Sequence, residues 1–286
     1  MRIANILFNK VDLDQVVNIM HNELKKLNSE YLPYIHEYID NEAFESAKEK
    51  IVGKVHNHKG IGTLSEKTVH AIMKNYYEPN EDNHEVKIEG YVADIYNNQG
   101  IIEIQTRQFN KLRGKLSTFL NLYPVTIVYP MPYNKWVFWI DNETGETTKK
   151  RKAPKRWSAY DAFVELYKIK EFLKNPNLRM RLVLMDMEEY RLLNGWNATK
   201  KRGSTRFDRI PLEIKQEVVI EQPDDYMQFI PYDIEEQFTS KEFAKAAKIK
   251  VDTARLVLNI LYYVGVVKRV GKNGNSFIYE VKDEID

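Results

Sequence analysis

Two acidic residues stand nine positions apart in "GYVADIYNNQGIIEIQT", Gly90 to Thr106. Asp94 and Glu103 each sit in an apolar run that reads as β-strand, with the polar turn "NNQG" between the runs. A hairpin closed symmetrically about Asn98 and Gln99 pairs residues whose numbers sum to 197, which sets Asn97 against Gly100, Tyr96 against Ile101 and Asp94 against Glu103. One face then carries Asp94, Glu103 and Gln105 beside Val92, Tyr96 and Ile101. The other carries Ala93, Ile95, Ile102 and Ile104 as a core face. Directly opposed side chains have Cβ atoms about 4.5–5.5 Å apart, and like charges there are destabilising. A divalent cation with oxygen ligands, a shared proton, or a nearby Lys or Arg would each offset the repulsion.

Other residues that could do chemistry carry weaker patterns. "HNH" at His56 to His58 is a bare tripeptide, and His70 lies one helical turn beyond Glu66 on the same side. Asp186 and Glu188 stand late in the apolar run "LVLMDMEEY", with no Gly-rich loop or partner acid to support them. Neither G-x-x-x-x-G-K-[ST] nor G-x-G-x-x-G occurs, so nucleotide-driven chemistry has no motif. Trp136, Trp139, Trp157 and Trp196 lie near basic stretches, where aromatic faces can stack on bases, although strand-spaced aromatics more often belong to a core.

The elements that must position Asp94 and Glu103 follow from periodicity. Residues 1–62 read as a polar, mostly helical N-terminal region that breaks at Gly60-Ile61-Gly62. A helix follows, with Thr63 or Ser65 as cap, Glu66 in its first turn and an apolar stripe of Leu64, Val69, Ile72, Met73 and Tyr76. Strands are expected over 85–96, 101–106, 124–131 and 179–193, with another strand and a turn at Thr144-Gly145 between the last two. Helices are expected over 109–122 and, with a Ser cap, 158–175. The next forty residues read as short strands and loops. A final unit begins near residue 237: a capped helix "SKEFAKAAKI", a second helix "KVDTARLVLNILYYVG" ended by Gly265, and a hairpin with "KNGN" at its turn. The expected fold class is mixed α/β, with a sheet flanked by helices over residues 63–236 and a smaller domain over 237–286.

The chain of 286 residues has 43% hydrophobic and 29% charged residues, an ordinary globular composition. It has no cysteine, which excludes disulfides and Cys-based zinc sites. No apolar run approaches the roughly 18 residues of a membrane span, and the N-terminus lacks a signal-peptide core, so a cytoplasmic protein is expected with no membrane partner. The net charge is only +2, but "KKRKAPKR" (Lys149 to Arg156) holds six basic residues in eight, and "KKRGSTRFDR" (Lys200 to Arg209) five in ten. Such local patches point to a polyanionic partner, with plain solvated loops as the alternative.

The order of helix, acid-bearing strand, second acid-bearing strand, helix and strand over residues 63–131 resembles the PD-(D/E)xK nucleases, the restriction-endonuclease-like fold. The resemblance implies that Asp94, Glu103 and the Ile104 carbonyl hold Mg²⁺ or Mn²⁺, with Glu66 as a further acid. It also implies hydrolysis of a phosphodiester by a metal-activated water. "EIQ" (Glu103, Ile104, Gln105) departs from the pattern at Gln105, where the family usually has Lys; Arg107 or Lys111 could supply a phosphate contact instead. The final unit resembles a winged helix. By position, Lys250, Thr253, Arg255 and Asn259 would then face DNA, and Lys268, Arg269, Lys272 and Asn275 would lie on the wing. Together these resemblances imply a nuclease-like protein acting on DNA, with RNA as another substrate and a homodimer as an assembly that such nucleases use. The alternatives are a non-catalytic DNA-binding regulator with a degenerate nuclease fold, and an interaction protein.

Overall fold

The computed structural model of the chain describes residues 39–57, 68–141, 144–192 and 205–282. Two helices, α1 (Asn41–Asn57) and α2 (Thr68–Tyr77), precede three strands, β1 (His84–Ile88), β2 (Tyr91–Asn97) and β3 (Gly100–Ile104). A 3₁₀ turn then leads into α3 (Arg113–Phe119), followed by β4 (Val125–Ile140), the short β5 (Arg151–Lys152), α4 (Phe163–Leu166) between two 3₁₀ turns, β6 (Leu178–Leu192) and β7 (Thr205–Ile220). These strands form one mixed sheet in the order β1-β2-β3-β4-β6-β7, with β5 added to β4. The β3–β4 and β4–β6 pairs are parallel, and the outer pairs are antiparallel. The fold is therefore mixed α/β, a large mixed sheet flanked by helices.

Two apolar clusters cover the two faces of the sheet. Ile95, Ile102, Ile104, Val128, Val183, Met185 and Met187 pack against Phe44 and Ile51 of α1 and Val69, Ile72 and Met73 of α2. Ile101, Val125, Ile127, Leu182 and Leu184 pack against Leu112, Leu116 and Phe119 near α3 and Phe163 and Leu166 of α4. Parallel connections β3-α3-β4 and β4-α4-β6 that advance in one direction with one hand put both crossover helices on one face, which explains the second layer.

Several expectations need correction. The expected strand 85–96 is two strands, because Glu89 (φ 48°) and Gly90 (φ 80°) make a two-residue turn that pairs Ile88 with Tyr91. Two expected strands between 124 and 140 are one, β4, which passes its prolines through an irregularity between Pro132 and Lys135. The expected short strands after 193 include one 16-residue strand, β7, whose three register shifts against β6 break the alternation that periodicity relies on. The 158–175 helix is fragmented, although Ser158 caps it through a capping box with Asp161. The 109–122 helix likewise starts as a 3₁₀ turn, Phe109–Leu112, and its α-helical part is only Arg113–Phe119.

The final unit has the expected order of elements. It comprises β8 (Gln237–Thr239), α5 (Ser240–Ala246), α6 (Val251–Val264), β9 (Val267–Asn273) and β10 (Ser276–Val281). Thr239 and Glu242 form a capping box on α5, and Gly265 ends α6 at φ 101°. The β9–β10 register pairs Asn273 with Ser276, so Gly274 and Asn275 form the turn itself. Phe238, Phe243, Val257, Leu258 and Leu261 lie in the same apolar cluster as Phe163, Leu166 and Phe229, so this unit packs directly on the crossover-helix layer.

The hairpin that carries the two acids has the register read from sequence: Ile95 pairs with Ile102, Tyr96 with Ile101 and Asn97 with Gly100. Its entry into β3 is fixed by Gly100, at φ 109°, where a Cβ would lie 2.3 Å from the Pro124 carbonyl oxygen. That oxygen accepts a 2.9 Å hydrogen bond from the Ile101 N–H, the first rung of the β3–β4 pair. Gly100→Ala should therefore cost roughly 2–4 kcal/mol of stability. Urea denaturation monitored by circular dichroism measures it, and a change below about 0.5 kcal/mol would show that the hairpin entry has slack.

Candidate functional site

Asp94 lies where the β2–β3 ladder opens into a fork. Ile95–Ile102 is a regular pair. By the alternation of an antiparallel ladder, the next hydrogen-bonded pair would join Ala93 to Ile104. Instead, the Ile104 N–H donates to the Asp94 carboxylate at Oδ2, 2.8 Å away. On the other side, β1 pairs with β2 at His84–Ile95 and Val86–Ala93. Between those rungs Glu85, the residue facing Asp94, is held at φ 53°. Strain in a non-glycine residue beside an opened ladder is a mark of functional sites. The strand also turns over here: Ala93 belongs to the crossover-helix cluster and Ile95 to the α1–α2 cluster, so the single core face expected for Ala93, Ile95, Ile102 and Ile104 is corrected.

His70 reaches Asp94 from α2, its Nε2 lying 3.1 Å from the same Oδ2. Burial opposes ionisation of Asp94, but the His70 bond and charge, the Ile104 N–H and the Lys115 ammonium hold its carboxyl below the usual carboxylate range. Glu103 has the opposite balance. It is 2% exposed, and burial, followed by the charge of Asp94, raises its pKa to about 7. Lys115 only partly compensates, although its Nζ contacts both Glu103 oxygens, at 2.9 and 2.8 Å. The lysine comes from α3, next to the core residue Leu116, so the helix face that anchors α3 also directs this cation onto the sheet. The site thus joins two carboxylates with sharply different proton affinities, a lysine on one and a histidine on the other.

Other sequence-based candidates fall in different places. The Gln105 side-chain amide bonds the Arg107 carbonyl and not the acids, because the chain bends away immediately after β3. The cation at the site is Lys115, which sequence reasoning missed. Lys111 is exposed. The signal for Lys115 was its position on the flank of the Leu112–Leu116–Phe119 stripe. Glu66 and the side chains of His56 to His58 lie outside the described residues. Asp186 is occupied by the Asn134 backbone N–H and side-chain amide, at 3.1 and 2.8 Å, and Glu188 by Lys150 at 2.7 Å. Among the described residues, no group of three or more His, Asp and Glu side chains is arranged to hold a metal ion. The oxygen donors at the fork are Asp94, Glu103 and the Ile104 carbonyl, which ladder alternation directs toward β2.

In the final unit, Asn259 is corrected: its side chain accepts a 3.0 Å hydrogen bond from Lys170 and so faces the crossover-helix layer. Thr253 is half-buried, while Lys250, Arg255, Arg269, Lys272 and Asn275 are exposed. Arg255 pairs with Asp252 at 2.8 Å and Lys268 with Glu280 at 2.5 Å. Arg269 lies over Tyr262 and Phe277, 4.3 and 4.0 Å from the ring centres.

This sheet and its forked acid pair coincide with a family boundary. A family described as "Domain of unknown function (DUF8091)" matches residues 67–221, from the residue before α2 to the residue after β7, and the chain belongs to that family. An "Uncharacterized protein" of Treponema pallidum (strain Nichols) is 26% identical over 156 residues, covering 54% of this chain. The matched stretch spans 62% of the length of that relative. No solved structure matches. No helix among the described residues is long and apolar enough to cross a membrane.

The raised pKa of Glu103 makes stability depend on pH. Between the ordinary glutamate value and about 7 the folded state keeps a proton that the unfolded chain loses, so this residue's contribution falls as pH rises through that window. Glu103→Gln should remove that dependence, leaving the variant relatively more stable against wild type at pH 8 than at pH 5. Urea midpoints at the two pH values test this, and parallel curves would refute the buried, proton-binding Glu103.

Proposed function

We propose that this chain is a divalent-metal-dependent nuclease that cleaves DNA at the fork between β2 and β3. The observation that carries the reading is the buried Glu103 at the C-terminal end of β3, paired with Lys115, beside the half-buried Asp94 of β2. Burial, and then the charge of Asp94, raise the pKa of Glu103 to about 7, and a cation between the two acids would relieve the repulsion. Both hydrogen bonds to Asp94 fall on Oδ2, which leaves Oδ1 as its outward oxygen. Carboxylate and carbonyl donors suit Mg²⁺ or Mn²⁺, so Asp94, Glu103 and the Ile104 carbonyl fit as ligands, with Glu66 as a further candidate acid. Bound there, the ion would supply a more acidic water and neutralise charge on the phosphodiester.

The remaining work falls to the chain's own groups. His70 and the Ile104 N–H fix the Asp94 carboxylate in one orientation. Lys115 would take the part that Gln105 does not play: with Glu103 engaged by a metal, its ammonium would be free to pair with a phosphate oxygen. The exposed cations of the final unit, Lys250, Arg255, Arg269 and Lys272, support a winged-helix reading with DNA along this face. A second reading, a DNA-binding protein without cleavage, is favoured by one observation, the Gln105 amide turned onto the Arg107 carbonyl.

Incubating duplex DNA, single-stranded DNA and RNA with Mg²⁺ or Mn²⁺ tests the choice. The wild type should cut at least one substrate. Asp94→Asn, which keeps an acceptor for the Ile104 N–H, and Lys115→Met should each lower the rate about 100-fold or more. No cleavage of any substrate, or equal rates in wild type and variants, overturns the nuclease reading.

A further inference from the structure

A second cluster of charges lies on the part of the sheet that extends past β3. Glu189, in β6, is fully buried. Four cations converge on it: Lys135 at 3.2 Å, Arg191 at 2.5 Å, Arg206 at 3.4 Å and Arg209 at 3.1 Å. One carboxylate cannot neutralise four cations. Burial alone would favour its neutral form, yet the surrounding positive charge takes its pKa down to about 2.

The excess shows on the cations. Burial and then the repulsion of Arg209, Arg107 and Arg191 bring Arg206 down to about 10. The Arg206 Nε is buried and makes no hydrogen bond among the described residues. That Nε is the atom lying 3.4 Å from Glu189, an ion-pair contact without hydrogen-bond geometry, so its N–H is poorly satisfied by the shared carboxylate and a further anion would relieve it. Asp208, the nearest other acid in β7, is bonded to Thr68 and the Arg209 N–H. Each of the four cations keeps part of its side chain at the surface, from 12 to 33% exposed, so an incoming ligand can reach them.

The neighbourhood says what kind of anion. The run "KKRKAPKR" lies along β4, with which β5 pairs, and its cations lie over aromatic rings. Lys150 and Lys152 cover Trp136, at 4.9 and 5.5 Å from the ring centre, on the sheet face opposite Glu189, and Arg156 covers Tyr133 at 4.1 Å. Lys155 and Lys135 itself both lie over Trp157, each at 5.1 Å. A single free phosphate would need only the arginines around Glu189. Trp157 joins the cluster through Lys135, and the exposed cations Lys155 and Arg156 stand beside it at the strand edge, which suits a chain of phosphates with bases between.

We propose that Lys135, Arg191, Arg206 and Arg209, templated by Glu189, form a phosphate-binding site that holds the backbone of a polynucleotide, with Trp157 and the basic edge run at Lys155 and Arg156 continuing the track. The site adjoins the fork. Arg107, three residues beyond Ile104, acts on Arg206, and Thr68, two residues before His70, is anchored to Asp208. Cleavage and binding are therefore separable parts of one surface.

Fluorescence anisotropy with a labelled oligothymidylate of roughly twenty nucleotides, in EDTA at about 0.1 M salt, tests the proposal without any metal. Arg206→Gln with Arg209→Gln should weaken binding at least about tenfold and flatten the slope of log K against log salt by about 1.4, near 0.7 per lost phosphate contact. The exposed pair Lys155→Gln with Arg156→Gln removes two cations of the track without touching the buried cluster, and should weaken binding about threefold or more. Arg206→Lys with Arg209→Lys should retain the wild-type slope. Circular dichroism establishes folding of each variant. Unchanged affinity in both neutralised pairs, or competition by inorganic phosphate with no oligonucleotide binding at all, overturns the polynucleotide site. Intact binding with no cleavage in the metal assays would sink the nuclease reading alone, and cleavage that survives the loss of these arginines would sink this one alone.

Discussion

The central strand β3 is buried on both faces, and the rest of the molecule is arranged around that constraint. Ile101 belongs to the core made with the crossover helices, while Ile102 and Ile104 belong to the core made with α1 and α2. An interior strand of this kind reads as a nearly continuous apolar run. Glu103 interrupts that run. Its carboxylate has no access to water, so the fold must deliver a partner, and the short helix α3 does so with Lys115. The same crowding makes the hairpin entry need glycine at position 100, and the Ile104 N–H turns to the Asp94 carboxylate.

Buried charges recur on this sheet in two different forms. At the fork, burial and then the charge of Asp94 make Glu103 hold its proton more tightly, and Lys115 offsets this only in part. Around Glu189 positive charge is in excess, and an arginine loses proton affinity. Each imbalance is opposite in sign to the ligand that would cure it: a metal cation at the first, a phosphate at the second. A phosphodiester with its counter-cation carries both, and two neighbouring regions of opposite need on one sheet are complementary to such a ligand.

Much of this was legible in the sequence, and the parts that were not have physical reasons. The hairpin register about Asn98-Gln99 followed from the turn and the alternation, as did the capped helices and Gly265 stop of the final unit. The turn at Glu89-Gly90 was hidden because a glutamate occupies a positive-φ position there, which glycine, asparagine or aspartate usually fills. Strands β4 and β7 were cut short because bulges and prolines break the period of two. The site was half legible. A carboxylate in an apolar run announces itself locally, so Asp94 and Glu103 stood out. His70 meets Asp94, Lys115 meets Glu103, and Lys135, Arg206 and Arg209 meet Glu189 only through contacts between separate elements, so the sequence marked at most the helix flank that carries Lys115 and the Arg191 two residues from Glu189. Basic runs in the sequence pointed to this part of the chain without showing that a buried glutamate organises it.

The two acids at the fork differ in what the fold itself asks of them. Asp94 substitutes for a backbone carbonyl, so a chain selected only to stay folded would still have reason to keep an acceptor there. Glu103 gives the fold nothing comparable. A buried glutamate–lysine pair can usually be exchanged for apolar residues of similar volume at little cost or with a gain. Were the proposed chemistry absent, positions 103 and 115 would be free to become hydrophobic together while position 94 stayed polar. Across relatives, then, joint retention of those two residues would speak for the proposed chemistry more than the presence of the aspartate.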